Sequence, residues 1–245
     1  MRILFALASL VAGFAVSAAE LPPSPELSPD ARLRVAPLFE AYAKLDQEFA
    51  ALPPATTNTE RLLRMKRRDE VGREVLRTID FVSLPPAEGR DAVLAAQLEI
   101  ERQDIVNQKE LKAILPERGW FLKSEISAEV STAAWQVVQH ATNSDMALVR
   151  AAVGAMYKLL PTGDIQKTDF AMLADRVAVV DGVRQTFGTQ MICDNFKWVL
   201  YPVADEARVD ALRKEMGIDI TLADQLAQFA TRSCPIGKYA GPMPK

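Results

Sequence analysis

The chain of 245 residues contains one histidine, His140, and an imidazole is the side chain best suited to carrying a proton near neutral pH. Around it, the informative positions are polar residues on helical faces that are otherwise apolar, because a polar group buried without a partner costs about 1–3 kcal/mol. Asp69 follows Leu62 by seven residues and Met65 by four, so it shares their face, and Arg73 four residues on can pair with it. Asp104 and Asn107 fall in the series Ile100, Asp104, Asn107, Leu111, Ile114, which steps along one seam. His140 itself follows Ala133 and Val137 on an apolar stripe, and Asp175 and Arg176 interrupt the apolar run from Phe170 to Val180. Further on, Gln185, Thr189 and Gln190 supply amide and hydroxyl groups, while Gly188 allows close backbone approach.

Two chemistries fit these residues. In the leading one the chain is a non-catalytic binding or interaction module. Asp69, Arg73, Asn107, Arg176, Gln185, Gly188, Thr189 and Gln190 then hold a small polar ligand or an envelope partner, and His140 completes a hydrogen-bond network. In the alternative, His140 is the general acid or base of a small hydrolase or lyase, oriented by the carboxylate of Asp104 or Asp175. No serine-nucleophile elbow, phosphate loop or cofactor fingerprint accompanies the histidine, so no cofactor is expected. A metal site is a poor fit, since a single histidine and no cysteine pair leave only oxygen ligands around it. The basic run Arg61, Arg64, Lys66, Arg67 and Arg68 is interleaved with Glu60, Asp69, Glu70 and Glu74, which reads as a solvated helix face.

The elements that must position these groups are mainly helical. Leu38, Tyr42, Leu45 and Phe49 repeat at helical spacing until Pro53 and Pro54. A second helix opens at Thr57, with Glu60 in the capping-box position, and is expected to run to Asp80. A third spans Asp91 to Leu115. Ser127 can cap a fourth through Gln139, Asn143 or Ser144 a fifth ending at Pro161, and Thr168 a sixth. Residues 176–180 suit either helix or strand, with helix favoured. Gln185–Ile192 and Lys197–Val203 read as a hairpin, and a last helix follows Asp205 and stops at Gly217. The fold class is therefore a mainly α, single-domain helical bundle over residues 31–245 with a small C-terminal β-hairpin.

Hydrophobic residues make up 49% of the chain and the formal net charge is −3, which excludes a disordered polyelectrolyte and argues against nucleic acid as a partner. Residues 1–19 read as a signal peptide: Met1 and Arg2, an apolar run from Ile3 to Val16, then Ser17, Ala18 and Ala19. Residues 20–30 form a proline-rich leader. No later stretch is long and apolar enough for a transmembrane segment, so an exported protein, periplasmic or secreted, is expected. In an oxidising compartment Cys193 and Cys234 are expected to pair, the rival being a nucleophilic Cys193 without a flanking signature.

Several of these runs occur together in one family. Gly119-Trp120, Gln139-His140-Ala141, the Leu-Ala-Asp-Arg-Val run at 173–177 and above all the Gln-Thr-Phe-Gly-Thr-Gln run at 185–190 resemble an uncharacterised bacterial family, domain-of-unknown-function family 6624. Asp69, Arg73, Asp104 and Asn107 look like its earlier polar positions. This chain has Phe121 where the family usually has proline, Thr142 where it has an acidic residue, and Phe187 where it has tyrosine. The resemblance implies a shared fold and a shared polar centre, and no particular reaction.

Overall fold

The structure is a computed structural model that describes residues 21–232 and Cys234; the expected signal peptide lies outside the described residues. The chain divides into two compact units at Leu148–Val149.

The first unit is helical. Ser28 caps α1 (Pro29–Ala51) by accepting from the Ala31 amide, and the buried face Ala31, Val35, Leu38, Tyr42, Leu45 keeps a four-three period. A reciprocal capping box between Thr57 and Glu60 opens α2 (Asn58–Leu76), as the sequence indicates. This helix stops four residues short of Asp80, because the Asp80 carboxylate instead takes the amides of Val82 and Ser83 and turns the chain. The third helix, α3 (Pro86–Ile114), begins earlier than Asp91, its proline fitting the first turn where no amide is needed. After the short α4 (Lys123–Ile126), Ser127 caps α5 (Ala128–His140). The unit ends in the first turn of α6 (Met146–Leu159), where Asp145, rather than Asn143 or Ser144, accepts from the Leu148 amide.

Helices α1, α2 and α3 pack against one another, and α5 packs on α2 and α3. Ala31, Val35, Leu38, Tyr42, Leu45, Val71, Leu84, Ala92, Ala96 and Ile100 form one apolar cluster. At its centre Gly72 is needed for close approach: a Cβ there would lie 2.0 Å from the Tyr42 hydroxyl. Any side chain at position 72 would have to displace the Tyr42 ring.

The second unit holds the rest of α6, a 3-10 turn (Leu160–Thr162), α7 (Lys167–Val180), β1 (Met191–Asp194), β2 (Lys197–Leu200), α8 (Val209–Glu215) and α9 (Leu222–Ala230). Residues 176–180 are helix, closed by Asp181 and Gly182. The N-cap of α7 is Gln166, not Thr168, and it makes no side-chain bond. The hairpin pairs Met191 with Leu200 and Cys193 with Trp198, and Asn195 and Phe196 at its turn both have positive φ, the mark of a primed turn. The strands are shorter than expected because residues 185–190 form a side-chain-braced loop, touching Val203 only through one isolated bridge. The sequence also under-reads the end of the chain, where Thr221 caps the additional helix α9. The class is nonetheless the expected one, mainly α with a small antiparallel hairpin.

Cys193 and Cys234 form a disulfide across a separation of 41 residues, fastening the segment after α9 to β1 beside the edge-to-face pair Trp198–Phe229. Closing a loop of that length stabilises a fold by about 3–4 kcal/mol. Replacing both cysteines with serine should therefore lower the unfolding free energy by that amount, and dithiothreitol should shift the denaturation midpoint of the wild type but leave that of the double variant unchanged.

Candidate functional site

Four of the sequence-selected polar residues meet among α2, α3 and α5. Asp69 and Arg73 stand one turn apart on α2, and the Arg73 guanidinium donates to the Asp69 carboxylate at 2.9 Å. It also grips Asp104 of α3 in a two-pronged contact, Nη1 to Oδ1 at 3.0 Å and Nη2 to Oδ2 at 2.7 Å. His140, the last residue of α5, places Nδ1 2.5 Å from Asp69 Oδ1. The carboxylate that orients the imidazole is thus that of Asp69, whereas the sequence reading assigns this to Asp104 or Asp175.

An ionised carboxylate has only acceptors to offer, so Nδ1 donates in this contact, and the tautomer it selects is the one with the lone pair on Nε2. Nε2 has no partner among the described residues, and the histidine side chain retains 19% exposure while that of Asp69 retains 2%. Asn107 lies one turn along α3 and braces the same pair of helices: it donates to the Met65 carbonyl at 3.0 Å and accepts from Arg68 at 3.1 Å. Arg68 in turn lies over the Phe49 ring.

Electrostatically the cluster has two buried carboxylates for one guanidinium. Burial works to lower the pKa of Arg73, but Asp104 and Asp69 outweigh it and raise it. Burial also pushes Asp104 up to about 6; Arg73 pulls it back and the negative charge of Asp69 adds to the rise. Tyr42 sits at the edge of this group with its hydroxyl buried and unbonded, and burial together with the Asp104 charge raises its pKa. Side-chain atoms of Asp69, Asp104 and His140 lie within 4.8 Å of one another, a spacing that could serve a metal ion. Arg73 already bridges both carboxylates there, so a cation would have to displace it.

The remaining candidates belong to the second unit, where they hold a loop rather than an open site. Asp175 Oδ1 accepts from the amides of Thr186 at 2.8 Å and Phe187 at 3.0 Å, and Oδ2 from the amide and hydroxyl of Thr189, both at 2.9 Å. Burial raises its pKa, and these amides oppose the rise. Gln185 is fully buried: it donates to the carbonyls of Gln190 and Tyr201 and accepts from the Gln190 amide. Gln190 donates to the Met172 carbonyl and the Thr189 hydroxyl. Gly188 has φ +67, a conformation that favours glycine, and its carbonyl accepts from Gln225. Arg176 is half-buried on α7. Sequence reasoning missed Arg213, which is wholly buried and donates to the carbonyls of Ile220 and Phe187 and to Gln225. Its only sequence signal is its place in the short helix before Gly217.

A family model described as a family of unknown function, DUF6624, matches residues 58–226. The chain belongs to this family. The matched segment opens with α2 and ends within α9, so it contains both the Asp69–Arg73–Asp104–His140 cluster and the Asp175 loop. No curated protein and no solved structure matches the chain.

Two tests follow from the electrostatics. Because the folded-state value of Asp104 lies above the ordinary carboxylate range, its contribution to stability is complete below that range and is lost as pH rises through about 6. Thermal unfolding from pH 4 to pH 8 should show a decline on the order of 2 kcal/mol that Asp104→Asn flattens, whatever the variant's absolute stability. In the other unit, Asp175→Ala strips the acceptor from three amides and a hydroxyl. Urea unfolding should register a loss of roughly 3 kcal/mol or more.

Proposed function

We propose that Asp69 and His140 form a general acid–base pair and that the protein is a small hydrolase or lyase acting on a polar metabolite outside the cytoplasm. One observation carries the reading: Nδ1 of the sole imidazole is held at 2.5 Å by a buried carboxylate while Nε2 has no partner among the described residues and the ring stays partly exposed. A carboxylate in that position fixes the tautomer and stabilises the imidazolium that forms on proton uptake. Arg73, gripping both Asp69 and Asp104, keeps the carboxylate from turning away. The disulfide fits an oxidising compartment, and among the described residues no helix is long and apolar enough to cross a membrane.

A second reading, the non-catalytic binding module, draws support from Arg73, which satisfies both carboxylates internally and so suits a purely structural network. The glutamine and threonine side chains that this reading favours as ligand contacts are instead bonded within their own unit.

The sole histidine makes the choice accessible. With 4-nitrophenyl acetate as the probe, His140→Ala should lower turnover by about 100-fold or more while the melting temperature stays close to that of the wild type. The nitrogen-15 resonances of the single imidazole should report a proton on Nδ1. A large fall in melting temperature in the variant, with no turnover by the wild type, would establish the structural network instead.

A further inference from the structure

A second residue of α5 is in an unusual state. Gln136 is 4% exposed, yet its side-chain oxygen has no hydrogen-bond partner. A bare amide oxygen in the interior is costly, and such groups in folded proteins are met by a water or a ligand. Gln136 lies four residues before His140 in the same helix, so their Cβ atoms are about 6 Å apart on one face. Both side chains present acceptors: the amide oxygen of Gln136 and, in the tautomer that Asp69 selects, Nε2 of His140.

Two acceptors one turn apart match a molecule with two donor hydrogens and repel a carbonyl or an anion. We propose that Gln136 is the positioning residue for a nucleophilic water that donates one hydrogen to its side-chain oxygen and the other to Nε2 of His140. The inference rests on the acid–base reading of His140 and narrows it to hydrolysis. The charge of the site narrows the substrate as well. With a neutral imidazole, Asp69 and Asp104 outnumber Arg73 by one, which disfavours a phosphate or sulfate ester and favours an uncharged acyl ester.

In the step itself the water oxygen forms a bond to the acyl carbon while its O–H bond to Nε2 breaks, and the proton goes to Nε2. The Nδ1–H···Asp69 contact persists throughout. The tetrahedral intermediate collapses by breaking the carbon–oxygen bond to the leaving group, which takes the proton from Nε2 and leaves as an alcohol. Acid and alcohol are formed, one water is consumed, and nothing is oxidised or reduced. Gln136 keeps its hydrogen bond to the attacking oxygen's second hydrogen and so fixes the direction of attack.

The test compares wild type, His140→Ala, Gln136→Leu and Gln136→Glu in hydrolysis of 4-nitrophenyl acetate across pH 5–9, alongside a high-resolution crystal structure of the wild type. Gln136→Leu should lower kcat roughly 10- to 100-fold with KM unchanged. Gln136→Glu, which retains an acceptor oxygen, should recover much of kcat, and the wild-type rate should show a normal solvent deuterium isotope effect. The crystal structure should contain a water within about 3.2 Å of both the Gln136 oxygen and His140 Nε2. If His140→Ala keeps full activity, the acid–base reading itself falls. If His140→Ala is inactive but Gln136→Leu keeps kcat, or raises only KM, the water-positioning role alone is wrong. A crystal structure without the bridging water overturns it independently of any assay.

Discussion

Two buried carboxylates, Asp69 and Asp104, share the single guanidinium of Arg73, and the helical unit is organised around that imbalance. A buried charge is tolerated only when paired and hydrogen-bonded. Arg73 must therefore reach both acids at once, which fixes the rotation of α2 and its separation from α3. Burial, with the charge of Asp69 adding to it, holds the Asp104 pKa high, and the carboxylate of Asp69 is the acceptor that the histidine at the end of α5 meets. The same constraint ties stability to chemistry, because the residues that lock the helices also orient the imidazole.

The second unit solves a different problem with the same kind of group. There a single carboxylate, Asp175, organises an irregular loop by taking its amides, and the buried Arg213 fastens the loop's carbonyl at Phe187 to α9 through Gln225. A loop that gives the amides of Thr186, Phe187 and Thr189 to a carboxylate cannot offer them to a neighbouring strand, which is why the hairpin begins only at Met191. In the Gln-Thr-Phe-Gly-Thr-Gln run the side chains of Gln185, Thr189 and Gln190 all find internal partners, so the run is a folding device.

Much of the architecture was legible from spacing. The faces of α1, α2 and α3 appear as four-three repeats of apolar residues, and Thr57 with Glu60 announces the start of α2. The ends of elements were less legible, since they depend on which nearby group captures the amides. Asp80 ends α2 early and Asp145 caps α6, and neither choice can be read from periodicity. For the site, placing Asp69, Asp104 and His140 on inward faces required only helical geometry, but the partner of His140 did not follow from it. Any of three aspartates could reach an imidazole until the packing of α5 on α2 put Asp69 against Nδ1. Gln136 escaped notice because a glutamine among alanines and valines carries no signal until its oxygen is found without a donor.

By itself the sequence determined the helical class and the inward placement of its misplaced charges, because these follow from local periodicity and composition; the pairing of the two cysteines was an expectation that the disulfide in the structure bears out. Only the tertiary structure decided that Arg73 bridges two acids, that Asp69 rather than Asp104 or Asp175 holds the histidine, and that the Asp175 loop is closed on itself. Those outcomes depend on distances of about 3 Å between helices far apart in the chain, and contacts of that kind are set by how whole faces pack.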